Sequence, residues 1–318
     1  MKAIFHEKYG SPDLLRLKEV EKPFSKDDEV LVKILVSSIN YGDNVIVRGK
    51  PFIIRLMGYG FFNPKSRILG GDLAGRVESV GSDVKQFQPG DEVYADVGDS
   101  GLGAYAEYLS VPEKVLALKL INLTFEEAAT IPQAAVVALQ GLRKGGVQSG
   151  HKVLINGASG GVGSFAVQIT KSLETEVTGV CSTRNADLVR SIGADHVIDY
   201  TKENFTQSEQ KYDLIIDVVA KSSFSECNPI LKPNGRYVTT AFTPGLALKA
   251  KMVRGDKKMI PMLASPERND LIYLKDLLES GKLKPIIDRR YTLEQVSDAI
   301  RYLEEGHVKG KLIINIKE

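Results

Sequence analysis

The spacing of apolar and polar residues divides the chain into two regions. In the first 120 residues, short apolar or alternating runs are separated by turn-forming residues, which is typical of strands. After Gly150, short apolar strands alternate with amphipathic helical segments. Because parallel strands need crossover connections, this alternation predicts a parallel sheet with helices on both faces. Its ligand crevice should lie at the carboxyl ends of the strands.

The first region predicts strands separated by proline and glycine turns. Pro89-Gly90 and Val111-Pro112 supply two of these turns. We expect the strands to form an antiparallel, partly closed barrel, and we predict them over residues 2–5, 29–36, 73–80, 91–94 and 103–110.

The second region opens with a helix signal. Thr124 and Glu127 form a capping box, and the Ala-rich run to Leu142 predicts a helix interrupted near Pro132. Beyond it we predict strands near residues 152–156, 176–181, 196–198, 213–217, 235–240 and 258–263, with helices over 185–191 and 224–231. The tail predicts helices over residues 271–280 and 293–305 and a last strand over residues 311–316.

Composition limits the classes of protein to consider. The chain has 318 residues, 43% hydrophobic and 26% charged, which is ordinary for a soluble globular protein of two domains. A net charge of +2 is too small to indicate nucleic-acid binding. No apolar run approaches the ~18 residues of a membrane span, and the amino end enters strand-like residues 2–5 without a leader, so we expect a cytoplasmic protein.

Cysteine and histidine usage limits the metal chemistry. Cys181 and Cys227 are the only cysteines, so neither a disulfide framework nor a cysteine-rich zinc site is indicated. The four histidines are scattered without an i, i+4 pair, and we expect surface or strand-end positions for His6, His151, His196 and His307.

Residues 153–164 predict a nucleotide-binding loop. Apolar Val153–Ile155 predicts a short buried strand, a glycine turn follows, and an amphipathic helix opens at Ser164. Such a turn lets backbone amides approach a diphosphate, and the amino end of the helix favours anions. An ordinary tight turn stays open as an alternative, because Ala158 stands where the strict dinucleotide pattern has its first glycine.

The strand after this loop is followed by Ser182 and Arg184. An enzyme that uses NAD has an acidic residue about 20 positions past the glycines, where it binds the ribose 2′-hydroxyl. No carboxylate is present at that place in the sequence, and arginine offers paired donors to a phosphate. We therefore predict NADPH as the cofactor. The alternative role of Arg184 is that of a solvated residue at a helix start.

Several short motifs, in this order, resemble those of the medium-chain dehydrogenase/reductase superfamily: Asn40–Asp43, Leu69–Gly75, Val80-Gly81, Pro89–Val93, Ala158–Gly163, Ile192–Asp195 and Val197–Tyr200. Within it, the chain is similar to the zinc-independent quinone oxidoreductases, especially the chloroplast homologues that reduce alkenals and enones. The resemblance implies an α/β fold with a partly open, GroES-like β-barrel catalytic domain over residues 1–122 and a doubly wound Rossmann domain over residues 123–264. A C-terminal segment over residues 265–318 would return to the catalytic domain.

Zinc-dependent members of the superfamily hold a catalytic zinc with a cysteine, a histidine and a further cysteine or acidic residue. In this chain Asn40 takes the place of the first cysteine and Gly71 that of the histidine, and no cysteine precedes Cys181. We therefore expect no metal. Without a Lewis acid, the remaining chemistry is hydride delivery to an electrophile that is already activated, such as a quinone or the β-carbon of an enone.

The resemblance also implies a set of cofactor-binding residues. It places the diphosphate at Ser159, Gly160, Gly161, Val162 and Gly163, and the 2′-phosphate at Ser182, Arg184 and Tyr200. It places Asn40 beside the nicotinamide, Thr240 at the cofactor, and Lys311 near the nicotinamide through the backbone of residues 309–311. Structural roles stay open as well: a turn for Asn40, a strand cap for Tyr200, a common strand end for Thr240 and a surface turn for residues 309–311.

Two further features concern the substrate. Asn40 and Tyr41 are the candidate catalytic residues, and the Tyr41 phenol would protonate or hydrogen-bond an enolate oxygen. A packing role for Tyr41 in the cleft wall, with the proton supplied by water, is the alternative. The apolar run Pro51–Phe62 predicts the mouth of the substrate cleft, or otherwise a core or dimer-contact helix.

The sequence thus predicts an NADPH-dependent, zinc-independent reductase of a small hydrophobic quinone or α,β-unsaturated carbonyl. If Met259–Leu263 is the edge strand of the sheet it would need covering, and the family resemblance implies that pairing in a homodimer covers it. Two alternatives remain open. An enoyl-thioester reductase shares the scaffold and the hydride step, and a non-catalytic NADPH-binding protein resembling lens crystallins shares the fold.

Overall fold

The computed structural model describes residues 1–265 and 267–316, which fall into two compact units. The first unit comprises residues 1–133, 267–275 and 285–316, and the second comprises residues 134–265 and 276–284. The predicted domain boundaries after residues 122 and 264 stay predictions.

The first unit is built on a mainly antiparallel sheet. Strands β1 (Lys2–Phe5) and β2 (Arg16–Glu19) pair separately, and the long strand β3 (Glu29–Ile39) pairs with β4 (Asp72–Val80) along one edge. On the other edge of β3 lie β6 (Tyr108–Pro112) and β15 (Lys311–Asn315). The remaining strands extend the sheet at its ends: β5 (Glu92–Asp96) and β7 (Ala117–Leu118) beyond β4, and β14 (Ile287–Thr292) beyond β15.

Alternation along β3 places apolar side chains in the core of this unit. Val30, Val32 and Ile34 are buried in one hydrophobic cluster with residues of β4, β5 and β15. The strand predicted over residues 103–110 begins only at Tyr108. Backbone amides of residues 103–105 instead donate hydrogen bonds to the carbonyl oxygens of Leu69 and Gly70, which takes them out of the ladder.

The second unit contains a six-stranded, all-parallel sheet in the order β10-β9-β8-β11-β12-β13. Its strands are β8 (Lys152–Asn156), β9 (Glu176–Cys181), β10 (His196–Asp199), β11 (Tyr212–Asp217), β12 (Leu231–Thr239) and β13 (Lys258–Pro261). Val153, Leu154 and Ile155 are fully buried, as expected for a parallel strand covered on both faces. The predicted edge strand is confirmed as β13.

The helices follow the predicted pattern closely. The capping box between Thr124 and Glu127 is confirmed, and the helix breaks before Pro132. The helices are α1 (Tyr41–Arg48), α2 (Phe125–Ala129), α3 (Pro132–Gly145), α4 (Gly161–Ser172), α5 (Ala186–Ser191), α6 (Phe224–Cys227), α7 (Pro244–Met252), α8 (Arg268–Glu279) and α9 (Val296–Glu304). Within the described residues, none is both long and apolar enough to cross a membrane.

Candidate active site

The glycine loop of the second unit joins β8 to α4. Gly157 has φ +87°, and a Cβ at Gly163 would lie 2.0 Å from the Gly157 carbonyl oxygen, so the turn closes against the helix only without side chains there. The helix begins at Gly161 rather than at the predicted Ser164, with Gly160 as its N-cap and no side-chain cap. Its first-turn amides have no partner within the helix, which suits a phosphate.

A side-chain hydrogen bond ties this loop to the turn after β9. The Asn185 amide nitrogen donates to the Ser159 hydroxyl oxygen over 2.9 Å, and both residues are buried. The Ser159 hydroxyl is thereby left with its own hydrogen to donate to a phosphate. Sequence reasoning missed Asn185, because only the strand order brings residues 159 and 185 together.

Ser182, Arg184 and Tyr200 follow the ends of neighbouring parallel strands. Cys181 and Asp199 are paired in register, and the Tyr200 amide donates to the Cys181 carbonyl oxygen over 3.1 Å. Ser182 is the N-cap of a 3-10 turn over Thr183–Asn185, and Arg184 and Tyr200 are exposed. The structure thus places the three residues predicted to bind the 2′-phosphate at the carboxyl ends of β9 and β10, on one edge of the sheet.

Asp199 is a carboxylate at this same edge that sequence reasoning missed. It accepts hydrogen bonds from the hydroxyls of Thr183 and Thr201, which lower the pKa of Asp199 to about 2. The absence of a carboxylate therefore holds only for the segment directly after β9. Lys202 lies 3.6 Å from the same carboxylate and offsets part of its charge.

At the next strand ends, Thr240 follows β12. Its amide donates to the Asp217 carbonyl oxygen, and its hydroxyl lies 3.4 Å from the Val218 carbonyl oxygen. The buried Asp217 carboxylate accepts from the Asn156 amide at 2.9 Å and the Tyr237 hydroxyl at 2.7 Å. These contacts fix the strand ends of β8, β11 and β12 around the glycine loop.

In the first unit, a buried polar network surrounds Asn40, which caps α1. The Asn40 side-chain nitrogen donates to the Asp72 carboxylate over 2.8 Å, and its oxygen accepts from the Lys311 ammonium. Lys311 also lies 3.3 Å from the same Asp72 oxygen. Both the nitrogen and the oxygen of the Asn40 side-chain amide are therefore hydrogen-bonded to buried charged side chains. The alternative role of a simple turn residue does not account for these two contacts.

Asp72 accepts further hydrogen bonds that complete the network. The Ser38 hydroxyl donates over 2.7 Å, and the backbone amide of Gln133 donates over 3.0 Å. Asp43 accepts from the Asn40 backbone amide over 2.7 Å, and burial raises the pKa of Asp43 to about 6. Both oxygens of the buried Asp72 carboxylate thus have hydrogen-bond donors.

Lys311 and Tyr41 differ in their surroundings. Lys311 is only 3% exposed, so a surface turn does not describe this residue. Tyr41 is 71% exposed, which argues against a packing role for its ring. Its predicted part in proton donation stays a prediction.

The arrangement of the potential metal ligands offers no metal site in the described residues. Among residues 1–265 and 267–316, no three side chains of histidine, cysteine, aspartate or glutamate are grouped to hold a metal ion. His6 directly follows β1 and is completely buried, and burial lowers its pKa. Cys181 and Cys227 are buried free thiols whose pKa values burial raises to about 11 and 12.

Comparison with known proteins identifies the family. The alcohol dehydrogenase GroES-like domain matches residues 26–120, and the zinc-binding dehydrogenase family matches residues 192–314. Tomato 2-methylene-furan-3-one reductase is 38% identical over 99% of this chain and 79% of that protein. The chain belongs to the medium-chain dehydrogenase/reductase superfamily. The predicted family and its fold, a GroES-like domain with a Rossmann-like parallel sheet, are thus confirmed.

Two other members of this superfamily are similar over nearly the full chain. The chloroplastic NADPH-dependent alkenal/one oxidoreductase of Arabidopsis thaliana is 35% identical over 99% of this chain and 79% of that protein. The quinone oxidoreductase from Coxiella burnetii has a TM-score of 0.91 and 31% identity, covering 100% of this chain and 99% of that one.

Proposed function

We propose that this member of the superfamily is an NADPH-dependent oxidoreductase that transfers a hydride to a quinone or to the β-carbon of an α,β-unsaturated carbonyl. The observation that carries the proposal is the uncapped amino end of α4, next to a Ser159 hydroxyl oriented by Asn185. Relatives named as an alkenal/one oxidoreductase and a quinone oxidoreductase support the substrate class.

The residues present fit NADPH. The glycine turn would hold the diphosphate, and Ser182, Arg184 and Tyr200 would hold the 2′-phosphate at the ends of β9 and β10. Arg184 would contribute paired donors to the phosphate. The nearby Asp199 carboxylate is already engaged by Lys202 and two threonines. When bound, NADPH supplies the hydride. The placement of Asn40, Thr240 and Lys311 against the cofactor rests on family resemblance.

Zinc independence is the second part of the proposal. One matching family carries zinc binding in its description, but the family resemblance places Asn40 and Gly71 where other members have the zinc-binding cysteine and histidine. Neither an amide engaged on both sides nor a glycine offers a zinc ligand. The electrophile must therefore be activated by its own conjugation and by hydrogen bonds from the protein.

We also propose that the protein forms a homodimer and that it is cytoplasmic. β13 leaves one edge of the parallel sheet open, and pairing with a second copy would cover it in a homodimer. Light scattering on purified protein should give twice the mass of one chain, and a monomer mass would contradict this. We propose a cytoplasmic location, although most of the similar relatives are named as chloroplast or mitochondrial proteins. A fluorescent fusion found inside an organelle would contradict it.

A substrate panel tests the activity. NADPH absorbance is followed with a quinone, an alkenal, an alkenone and an enoyl thioester, using NADH as the matched reductant. We expect consumption of NADPH with at least one of the first three. Turnover of the enoyl thioester alone would favour a thioester reductase, and no turnover across the panel would favour a binding protein.

A further inference from the structure

Gly71, directly before β4, lies beside two polar side chains, those of Asp96 and Gln133. A Cβ at Gly71 would lie 3.5 Å from Asp96 Oδ1 and 3.5 Å from Gln133 Nε2, which are ordinary contacts. At Gly70, by contrast, φ is +98° and a Cβ would lie 2.7 Å from the Tyr105 backbone nitrogen. Packing thus demands a glycine at position 70 but not at position 71. The space that a Cβ at residue 71 would occupy is therefore unfilled, and it lies in contact distance of both Asp96 and Gln133.

Asp96 ends β5 and lies opposite Asp72 in the register of β4 and β5. Its carboxyl group accepts from the Gly98 amide over 2.8 Å and from Gln133 Nε2 over 3.4 Å. In the part of the chain that the structure describes, Asp96 forms no ion pair, whereas Asp72 is paired with Lys311. The charge of Asp72 is therefore offset by Lys311, whereas no cation among the described residues is paired with Asp96.

The surroundings of Asp96 favour its protonated form. Burial, followed by the negative charge of Asp72, raises the pKa of Asp96 to about 7. Asp99, in the turn after β5, acts in the same direction. Tyr59, from the helical turn at Arg55–Tyr59, also lies within electrostatic reach of Asp96. A carboxyl group in this setting is available as an acid near neutral pH.

Hydrogen bonds hold Gln133 in place beside Asp96. Its backbone amide donates to Asp72 Oδ1 over 3.0 Å, which fixes the residue independently of its side chain. One hydrogen of its side-chain nitrogen points to Asp96, and the amide carries a second hydrogen to donate. Gln133 and Asp96 therefore form a pair of donors without net charge when Asp96 is protonated.

We propose that the carbonyl oxygen of the substrate binds in the space at Gly71 and accepts hydrogen bonds from the Asp96 carboxyl group and the Gln133 amide. This inference rests on the proposed function. Gly71 is also the residue at which the family resemblance places the zinc-binding histidine of other members. The donor pair would thus take over the polarising role of a metal, in the manner of an oxyanion hole.

Asp96 would supply a proton to the carbonyl oxygen as the hydride is transferred. The hydride from NADPH forms a C–H bond at the β-carbon, and the C=C electron pair moves to the bond between the α-carbon and the carbonyl carbon. The C=O π pair passes to oxygen, which takes the proton from Asp96 as its O–H bond breaks. The enol then tautomerises to the saturated ketone with water, and water returns a proton to Asp96.

Three variants test the assignment. Asp96→Asn keeps the size of the side chain but cannot supply the proton, and we expect kcat for an alkenone to fall about 100-fold with an unchanged KM for NADPH. Gln133→Leu removes one donor and should lower kcat about tenfold or more. Asp83→Asn, an exposed residue beyond the opposite end of β4, serves as the control and should retain wild-type kcat. In the wild type, kcat should decline as pH rises through about 7, and this decline should be absent in Asp96→Asn.

A spectroscopic measurement is independent of turnover. The infrared carbonyl stretch of an alkenone, labelled with ¹³C at the carbonyl and bound with NADP⁺, should lie lower in the wild type than in Asp96→Asn or Gln133→Leu. If the wild type reduces no member of the substrate panel, the proposed function fails. If the wild type is active but both variants match it in kcat and carbonyl frequency, this inference alone is overturned.

Discussion

The Lys311 ammonium lies 3.3 Å from the Asp72 carboxylate, and both side chains are buried, at 3% and 0% exposure. β15 and β4 both flank β3, so the ion pair joins two strands far apart in the sequence. The same Asp72 oxygen accepts from Asn40, whose own oxygen accepts from Lys311. The pair therefore positions the residue that family resemblance places beside the nicotinamide.

Removing the Lys311 charge should destabilise the folded protein. Lys311→Met leaves Asp72 buried without its ion pair, and we expect the free energy of unfolding to fall by about 3–5 kcal/mol. Urea denaturation measures the change. The matched control is Lys18→Met, because Lys18 and its partner Glu7 are both more than 40% exposed, and its effect should stay under about 1 kcal/mol.

A double variant separates the charge from the packing. Combining Lys311→Met with Asp72→Asn removes both charges, so the double variant should be more stable than the sum of the single losses implies. Strict additivity would contradict a coupled ion pair.

The order of strands and helices was predictable from the sequence. The buried parallel strands β8 and β11 each contain a run of three apolar residues, and the capping box at Thr124 indicates a helix start. Gly161 was not recognised as the first residue of α4, because glycines lower helix propensity and the periodic apolar pattern starts only later.

Long-range pairing accounts for most of what the sequence left out. Lys311 meets Asn40 across 271 positions, and Asn185 meets Ser159 across 26, through strand neighbours that no local pattern specifies. Asp199 is beside Thr183 because β9 and β10 are in parallel register. Apolar periodicity predicts which residues are buried, but it does not give the register that brings polar side chains together.

Arg184 should discriminate between the two nicotinamide cofactors. Arg184→Ala should weaken NADPH binding by roughly 1.5–3 kcal/mol, because a charged hydrogen bond to the 2′-phosphate is lost, while NADH binding barely changes. Titration calorimetry with both cofactors measures this. Arg190→Ala, on the exposed side of the neighbouring helix α5, is the control. Equal losses for NADPH and NADH would remove Arg184 from the 2′-phosphate site.

Active enzyme should contain no stoichiometric zinc. The replacement of the metal-binding cysteine and histidine by Asn40 and Gly71 predicts full turnover after dialysis against a strong chelator. Elemental analysis of the same sample gives the metal content per chain. A bound zinc whose removal abolishes turnover would refute zinc independence.

Asp96 should affect stability as well as rate. The pKa of Asp96 is raised to about 7 in the folded protein, whereas it is near 3.8 in the unfolded chain. The stability that protonated Asp96 contributes is therefore fully present below pH 3.8 and is lost as pH rises through about 7. Asp96→Asn cannot ionise and should be more stable than the wild type by about 4 kcal/mol at pH 8, with little difference near pH 4. Urea unfolding across this pH range measures the difference. A stability difference that does not change with pH would mean that Asp96 is ionised throughout.

The most direct test of the proposed reaction follows the transferred hydrogen. An alkenone is incubated with the enzyme and NADPH carrying deuterium at both C4 positions, and the product is examined by NMR. The account predicts a saturated ketone with one deuterium on the β-carbon and a solvent proton on the α-carbon. A product without deuterium at the β-carbon, or an allylic alcohol with deuterium at the former carbonyl carbon, would contradict it.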